Sequence, residues 1–157
     1  MAQTVPSKDL HRIVTTCIVY AGRRYHLRKR TDEGPFPGRW EVAGGGVEPE
    51  DYQHLPKDTP DGWENVLDTV VRREVLEETG MVVGELRYMG NSIFVRPTDG
   101  IPVIVLRFAA PHVSGKPRLD DSATEQKWVT AQDVDAYKPI GSIARDIKRL
   151  DAQLAKE

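Results

Sequence analysis

The sequence predicts an α/β fold in which a mixed β-sheet lies between helices. Three features carry that reading: β-branched runs separated by turn residues, a valine-rich helical stripe through residues 66–75, and a second apolar stripe near the C-terminus. At 157 residues the chain has the length of one domain and can bury a proper core.

Residues 1–9 are polar and read as a frayed end or an edge cover. From Ile13 to Tyr20 the chain is rich in β-branched residues, and after the Ala21-Gly22 turn signal Arg24 to Arg30 continues as a second strand. Arg28, Lys29 and Arg30 form the densest basic cluster, in which Arg28 and Arg30 are candidates to face substrate phosphates. A loop from Thr31 to Pro37 precedes Trp40 and the glycine run Gly44-Gly45-Gly46, where backbone has to approach another group closely. Residues 50–62 are mostly polar, hold Pro56 and Pro60, and read as an inserted loop. Asp61 or Asn65 is expected to cap the following helix, and Trp63 to anchor its start.

In that helix Leu67, Val71 and Val75 recur every four residues, flanked by Val66 and Val70, and this stripe seats it on a sheet. Strands are expected over Glu85–Val95 and Ile101–Ala109, with Val103 to Leu106 covered on both sides and Tyr88, Phe94 and Phe108 as packing residues. A further strand spans Thr124 to Val129, then a short helix or turn at Ala131–Tyr137. A terminal helix presents Ile143, Ile147 and Leu150 on one face.

The chemistry concentrates in Arg73-Glu74-Val75-Leu76-Glu77-Glu78-Thr79-Gly80-Met81. Carboxylates at intervals of three and four fall on one helical face, because an α-helix turns once in about 3.6 residues. Like charges so placed repel, and their oxygens suit a hard divalent ion such as Mg²⁺, with Mn²⁺ as the alternative. Arg73 can brace one carboxylate, and Gly80 supplies the left-handed residue that stops the helix.

This run, with the upstream glycines, resembles the signature of the Nudix hydrolase family. The resemblance implies a Nudix-like single domain over residues 1–157 and metal-assisted hydrolysis of a diphosphate linkage. It makes Arg73, Glu74, Glu77 and Glu78 the catalytic set. Glu74, Glu77, Glu78 and the Gly45 backbone carbonyl become the metal ligands. It also implies a late carboxylate, for which Glu125 is the first candidate, with Asp120 and Asp121 behind it. Only the second half of the signature is intact. Asn65 stands at the usual glutamate position, Thr59 at the usual glycine and Glu64 one residue too early.

A nucleoside triphosphate or related nucleotide is the expected substrate, with dinucleoside polyphosphates and nucleotide sugars as alternatives. An inactive nucleotide-binding module is the rival from another class. Isoprenoid isomerisation needs a catalytic cysteine, and Cys17, the sole cysteine, lies in an apolar strand and reads as a core thiol. A single cysteine also forbids an internal disulfide. The balance of 22 basic against 24 acidic residues argues against a nucleic-acid-binding surface. No apolar run reaches the roughly 20 residues of a membrane span and no secretory segment opens the chain, so the expected location is cytoplasmic. The terminal helix leaves a homodimer open.

Overall fold

The computed structural model describes residues 7–157, so the expectation for residues 1–6 lies outside the described residues. Eight strands form a mixed sheet: β1 (Arg12–Ala21), β2 (Arg24–Arg30), β3 (Trp40–Glu41), β4 (Ala43–Gly46), β5 (Val82–Val83), β6 (Arg87–Val95), β7 (Pro102–Ser114) and β8 (Ala123–Val129). Helix α1 covers Val66–Thr79 and α2 covers Ile143–Leu154. The α/β class and the longer elements are those the sequence patterning predicts, whereas the short strands β3, β4 and β5 are not marked by it.

β1 is the hub of the sheet. It runs parallel to β7 from Arg12 opposite Val103 to Tyr20 opposite Pro111. It pairs antiparallel with β4 over Val14–Cys17 and with β2 across a tight turn at Gly22, whose φ is 57°. Side chains alternate across a strand, and β1 uses both faces. Cys17 and Val19 pack with Val71 and Val75 of α1, whereas Ile18 packs with Ile147 and Leu150 of α2. The sheet is thus covered on both sides at Cys17–Val19 of β1.

Cover fails at the far end of the β6–β7 hairpin, where the expectation of a doubly covered strand is corrected. Val103 is buried, but Ile104, Val105 and Leu106 are only half-buried, and Ile93 and Val95 are 63% and 64% exposed. The physical reason is reach. Both apolar clusters take in residues at the other end of the hairpin (Met89, Phe108, Ala109 and Ala110) and none of residues 91–105. Tyr88 and Phe94 are likewise exposed, Tyr88 resting edge-on against Phe108 at 5.8 Å.

Residues 47–65, between β4 and α1, hold one 3-10 turn at Pro49–Asp51 and otherwise only turns and bends. Asn65 starts α1 in the left-handed conformation (φ 55°) and makes no side-chain cap, and Asp61 is not the N-cap residue. Trp63 anchors the loop to itself: its indole N–H donates to the Leu55 carbonyl at 2.9 Å and its ring lies 5.1 Å from that of Tyr52.

α2 is fixed to the sheet by a polar contact beside its apolar face. The buried Tyr25 hydroxyl donates to Asp151 Oδ1 at 2.7 Å, and Arg23 Nε donates to the same oxygen at 2.9 Å. The hydrogen bond from Arg23, and then that from Tyr25, hold the Asp151 carboxyl below its ordinary range. Its contribution to stability is therefore full above the unfolded value near 4 and fades as pH falls through the lower folded value. Asp151→Asn is expected to cost about 1 kcal/mol at neutral pH in urea unfolding. The gap to wild type should close once the pH falls below that lowered folded value.

Candidate active site

α1 brings its acids to the sheet because its opposite face is anchored. Val70, Val71, Val75 and Thr79 are buried, and the Thr79 hydroxyl donates back to the Val75 carbonyl at 2.6 Å. Gly80, at φ 71°, ends the helix as the sequence predicts. Glu74 and Glu78 then lean onto β4, and the two carboxylates are 14% and 17% exposed. The Gly44 N–H donates to Glu78 Oε2 at 2.9 Å. A Cβ on Gly45 would lie 2.3 Å from the Glu74 carboxyl carbon, so only glycine lets that carboxylate close on the strand. Glu77 is different: it is 57% exposed and turned to Arg73 Nη1 at 2.9 Å.

The two inner acids are short of positive charge. Burial pushes the Glu78 carboxyl up to about 7, with Arg28 and the Gly44 N–H opposing it. Burial likewise raises Glu74, against the pull of Arg73. Carboxylates kept from water in this way favour a cation.

Arg28 is not placed to meet a substrate. Its side chain is fully buried, with Nη1 3.1 Å from the Glu78 carbonyl and 3.3 Å from Glu78 Oε2. Nη2 donates to Asp120 Oδ1 at 2.9 Å and to the Ser122 hydroxyl, while Nε lies 3.5 Å from Glu41. Arg30 is 26% exposed, and its Nη1 donates to Glu41 at 2.7 Å. On β8, Glu125 is half-exposed and faces Lys29 at 3.3 Å. Asp120 is the late acid brought beside Glu78, through Arg28, and Asp121 is exposed. Arg73 binds Glu74 at 3.0 Å through Nη2, and the same nitrogen lies 2.9 Å from Asp51, in the inserted loop. Glu41 and Asp51 belong to this constellation although no sequence pattern marks them.

The donor set fits a hard divalent ion in kind: two desolvated carboxylates beside the glycine run of β4, with oxygen donors. Among the described residues no three His, Cys, Asp or Glu side chains already converge on one point, since Glu77 turns outward to Arg73. Water and substrate oxygens would complete the coordination, as is usual for Mg²⁺.

The family model described as NUDIX domain matches residues 10–150. The chain is 34% identical over 80 residues to the NAD-capped RNA hydrolase NudC of Vibrio vulnificus, a stretch that is 50% of this chain and 29% of that protein. It therefore spans less than a third of that relative's length. To the nucleoside triphosphatase NudI of Escherichia coli it is 26% identical over 134 residues, 80% of this chain and 85% of that one. The MutT NUDIX hydrolase of Burkholderia pseudomallei shares the fold, with a TM-score of 0.69 at 20% identity over 89% of this chain and 98% of the other.

Two neighbouring glycine substitutions should separate framework from site. A Cβ on Gly44 would meet the Thr15 carbonyl at 2.3 Å, backbone that cannot yield, so Gly44→Ala is expected to lose about 1–3 kcal/mol in urea unfolding. On Gly45 the added methyl meets only the end of the Glu74 side chain. Gly45→Ala should keep most of its stability while displacing that carboxylate, read as weakened Mn²⁺ binding by calorimetry.

Proposed function

Since the chain belongs to the Nudix hydrolase family, we propose that it is a divalent-metal-dependent pyrophosphohydrolase acting on a nucleoside triphosphate or a related nucleoside diphosphate derivative. The observation that carries this is the seating of Glu74 and Glu78, both raised in pKa by burial, against the side-chain-free Gly44–Gly45 strand. Mg²⁺ is the first choice of ion and Mn²⁺ the second.

Glu74, Glu77 and Glu78, with the Gly45 carbonyl, are the proposed ligands. A bound divalent ion supplies positive charge that makes water a better nucleophile and offsets charge developing on phosphoryl oxygens. The chain's own residues do the positioning. Arg73 sets Glu74 and Glu77 relative to one another, and Arg28 holds the Glu78 carboxylate and its backbone from the buried side. Arg30, the accessible member of the basic pair, is the proposed phosphate contact.

The triphosphate reading draws on the match to NudI along most of both chains. The short match to NudC keeps a dinucleotide-type diphosphate among the candidates. A nucleotide-binding module without turnover is the remaining rival, favoured by Asn65 at the usual glutamate position and by the outward turn of Glu77.

The test is product-resolved turnover with nucleoside triphosphates, nucleotide sugars and dinucleoside polyphosphates, in Mg²⁺, in Mn²⁺ and with chelator. Hydrolysis should require the metal and fall by at least about 100-fold in Glu77→Gln/Glu78→Gln, checked for folding. Metal-dependent nucleotide binding with no product across the panel would instead identify the module.

A further inference from the structure

We propose that Arg107, gripped by the buried Asp146, reads the base of a bound nucleotide and selects one that offers two adjacent acceptors, as guanine does at O6 and N7. This rests on the nucleotide reading above. The Arg107 side chain is 10% exposed and that of Asp146 1%. Arg107 Nε donates to Asp146 Oδ2 at 2.6 Å, and the Ser142 hydroxyl donates to the same oxygen at 3.3 Å. A guanidinium that only closed an ion pair would set two nitrogens against both carboxylate oxygens. Here Oδ1 accepts no hydrogen bond among the described residues, and Arg145 and Arg149 stand 3.6 Å from it. Asp146 therefore holds the guanidinium by Nε, and among the described residues the Nη1–Nη2 fork has no acceptor. Nη2 lies over Gly90, where a Cβ would come within 3.0 Å of it. A nearly buried fork is costly to leave unmatched, so a group that binds in front of it has to bring acceptors.

The place of this fork in the sheet points to a base. Gly44, Thr16, Arg107 and Gly90 form one row across β4, β1, β7 and β6, and Gly44 is the residue that seats Glu78. Two strand spacings separate Gly44 from Arg107, about 10 Å. A nucleoside bridges that span when its phosphates lie at the acids. Thr16 and Arg107 share a face with Ile18 and Ala109, which belong to the apolar cluster around α2. That cluster stops there. Val14, Thr16 and Val105, on the same face, are half-buried and outside it, and they offer a floor for a flat ring. Charge argues the same way: Asp146 neutralises Arg107, so the fork gives direction more than net charge and suits a neutral ring edge better than a phosphate. Adenine would turn an amino group toward one arm of the fork and is disfavoured.

The experiment measures binding, so that it stands apart from turnover. NMR titration with GMP, IMP, 7-deaza-GMP and AMP gives four affinities for the wild type. The GMP-to-AMP ratio is then taken for Arg107→Lys, Asp146→Asn and Arg145→Gln, each checked for folding by thermal unfolding. GMP and IMP, which share O6 and N7, should bind at least about tenfold more tightly than AMP. The 7-deaza compound, which lacks N7, should lose most of that advantage. Arg107→Lys keeps the charge without the fork and should bring the ratio near one with AMP affinity unchanged. Asp146→Asn should lower the ratio by loosening the grip on the guanidinium. Arg145→Gln, at an exposed neighbour, should keep the wild-type ratio.

Equal affinity of the wild type for GMP and AMP overturns the proposal with no variant needed. An equal loss of both nucleotides in Arg107→Lys also overturns it, by making Arg107 a phosphate contact, as does an unmoved ratio in a folded Arg107→Lys. The two readings fail separately. A preference for GMP without turnover of any substrate defeats the hydrolase assignment and leaves the base-reading role standing. Turnover with no preference among the bases does the reverse.

Discussion

Arg28 is the constraint around which the site is built. A guanidinium with no exposed surface has to be met by charge and hydrogen-bond acceptors, because removing one member of a buried ion pair typically costs about 3–5 kcal/mol. Its partners come from three places: Glu41 on β3, Glu78 on α1, and Asp120 and Ser122 in the segment before β8. One side chain of β2 therefore fixes a strand, a helix and a loop relative to each other. The arrangement remains acid-rich even so. Glu78 keeps a raised pKa beside this cation, so the guanidinium is an organiser and not a full neutraliser.

The glycine strand does the complementary work from the other side. Its backbone meets Glu78 with an N–H and gives Glu74 room, while its pairing with β1 ties it into the sheet. Conformational freedom is not the point at Gly44 and Gly45, neither of which has positive φ. Close approach is. The acids on α1 and the strand beneath them form one surface, and Arg73 carries that surface out to the inserted loop.

Local periodicity made much of this legible. The stripe Val71–Val75 and the spacing of Glu74, Glu77 and Glu78 fixed α1, its buried side and its stop at Gly80. The same logic could not reach pairs far apart in the chain. Arg28 looked like a phosphate contact because a basic strand end is usually solvated, and only the fold reveals acids 13, 50 and 92 residues away closing over it. Glu125 stands before a tryptophan and so outranks Asp120 in the sequence, yet strand pairing sets it against Lys29. The apolar run at Val103–Leu106 suggested full cover because hydrophobicity records what a strand can bury, not what the helices reach. Asp51 had no signature at all, being one acid in a polar loop.

Cys17 has a consequence of its own. It is the chain's only thiol, 1% exposed, packed between β1 and α1 with Val71 and Val75, and its pKa is pushed up to about 12 by burial. A thiol held neutral and out of reach does not react while the sheet and helix stay together. Alkylation of this sulfur becomes a clock for their separation, and its rate reports how often the helix that carries the acids lifts away from the sheet.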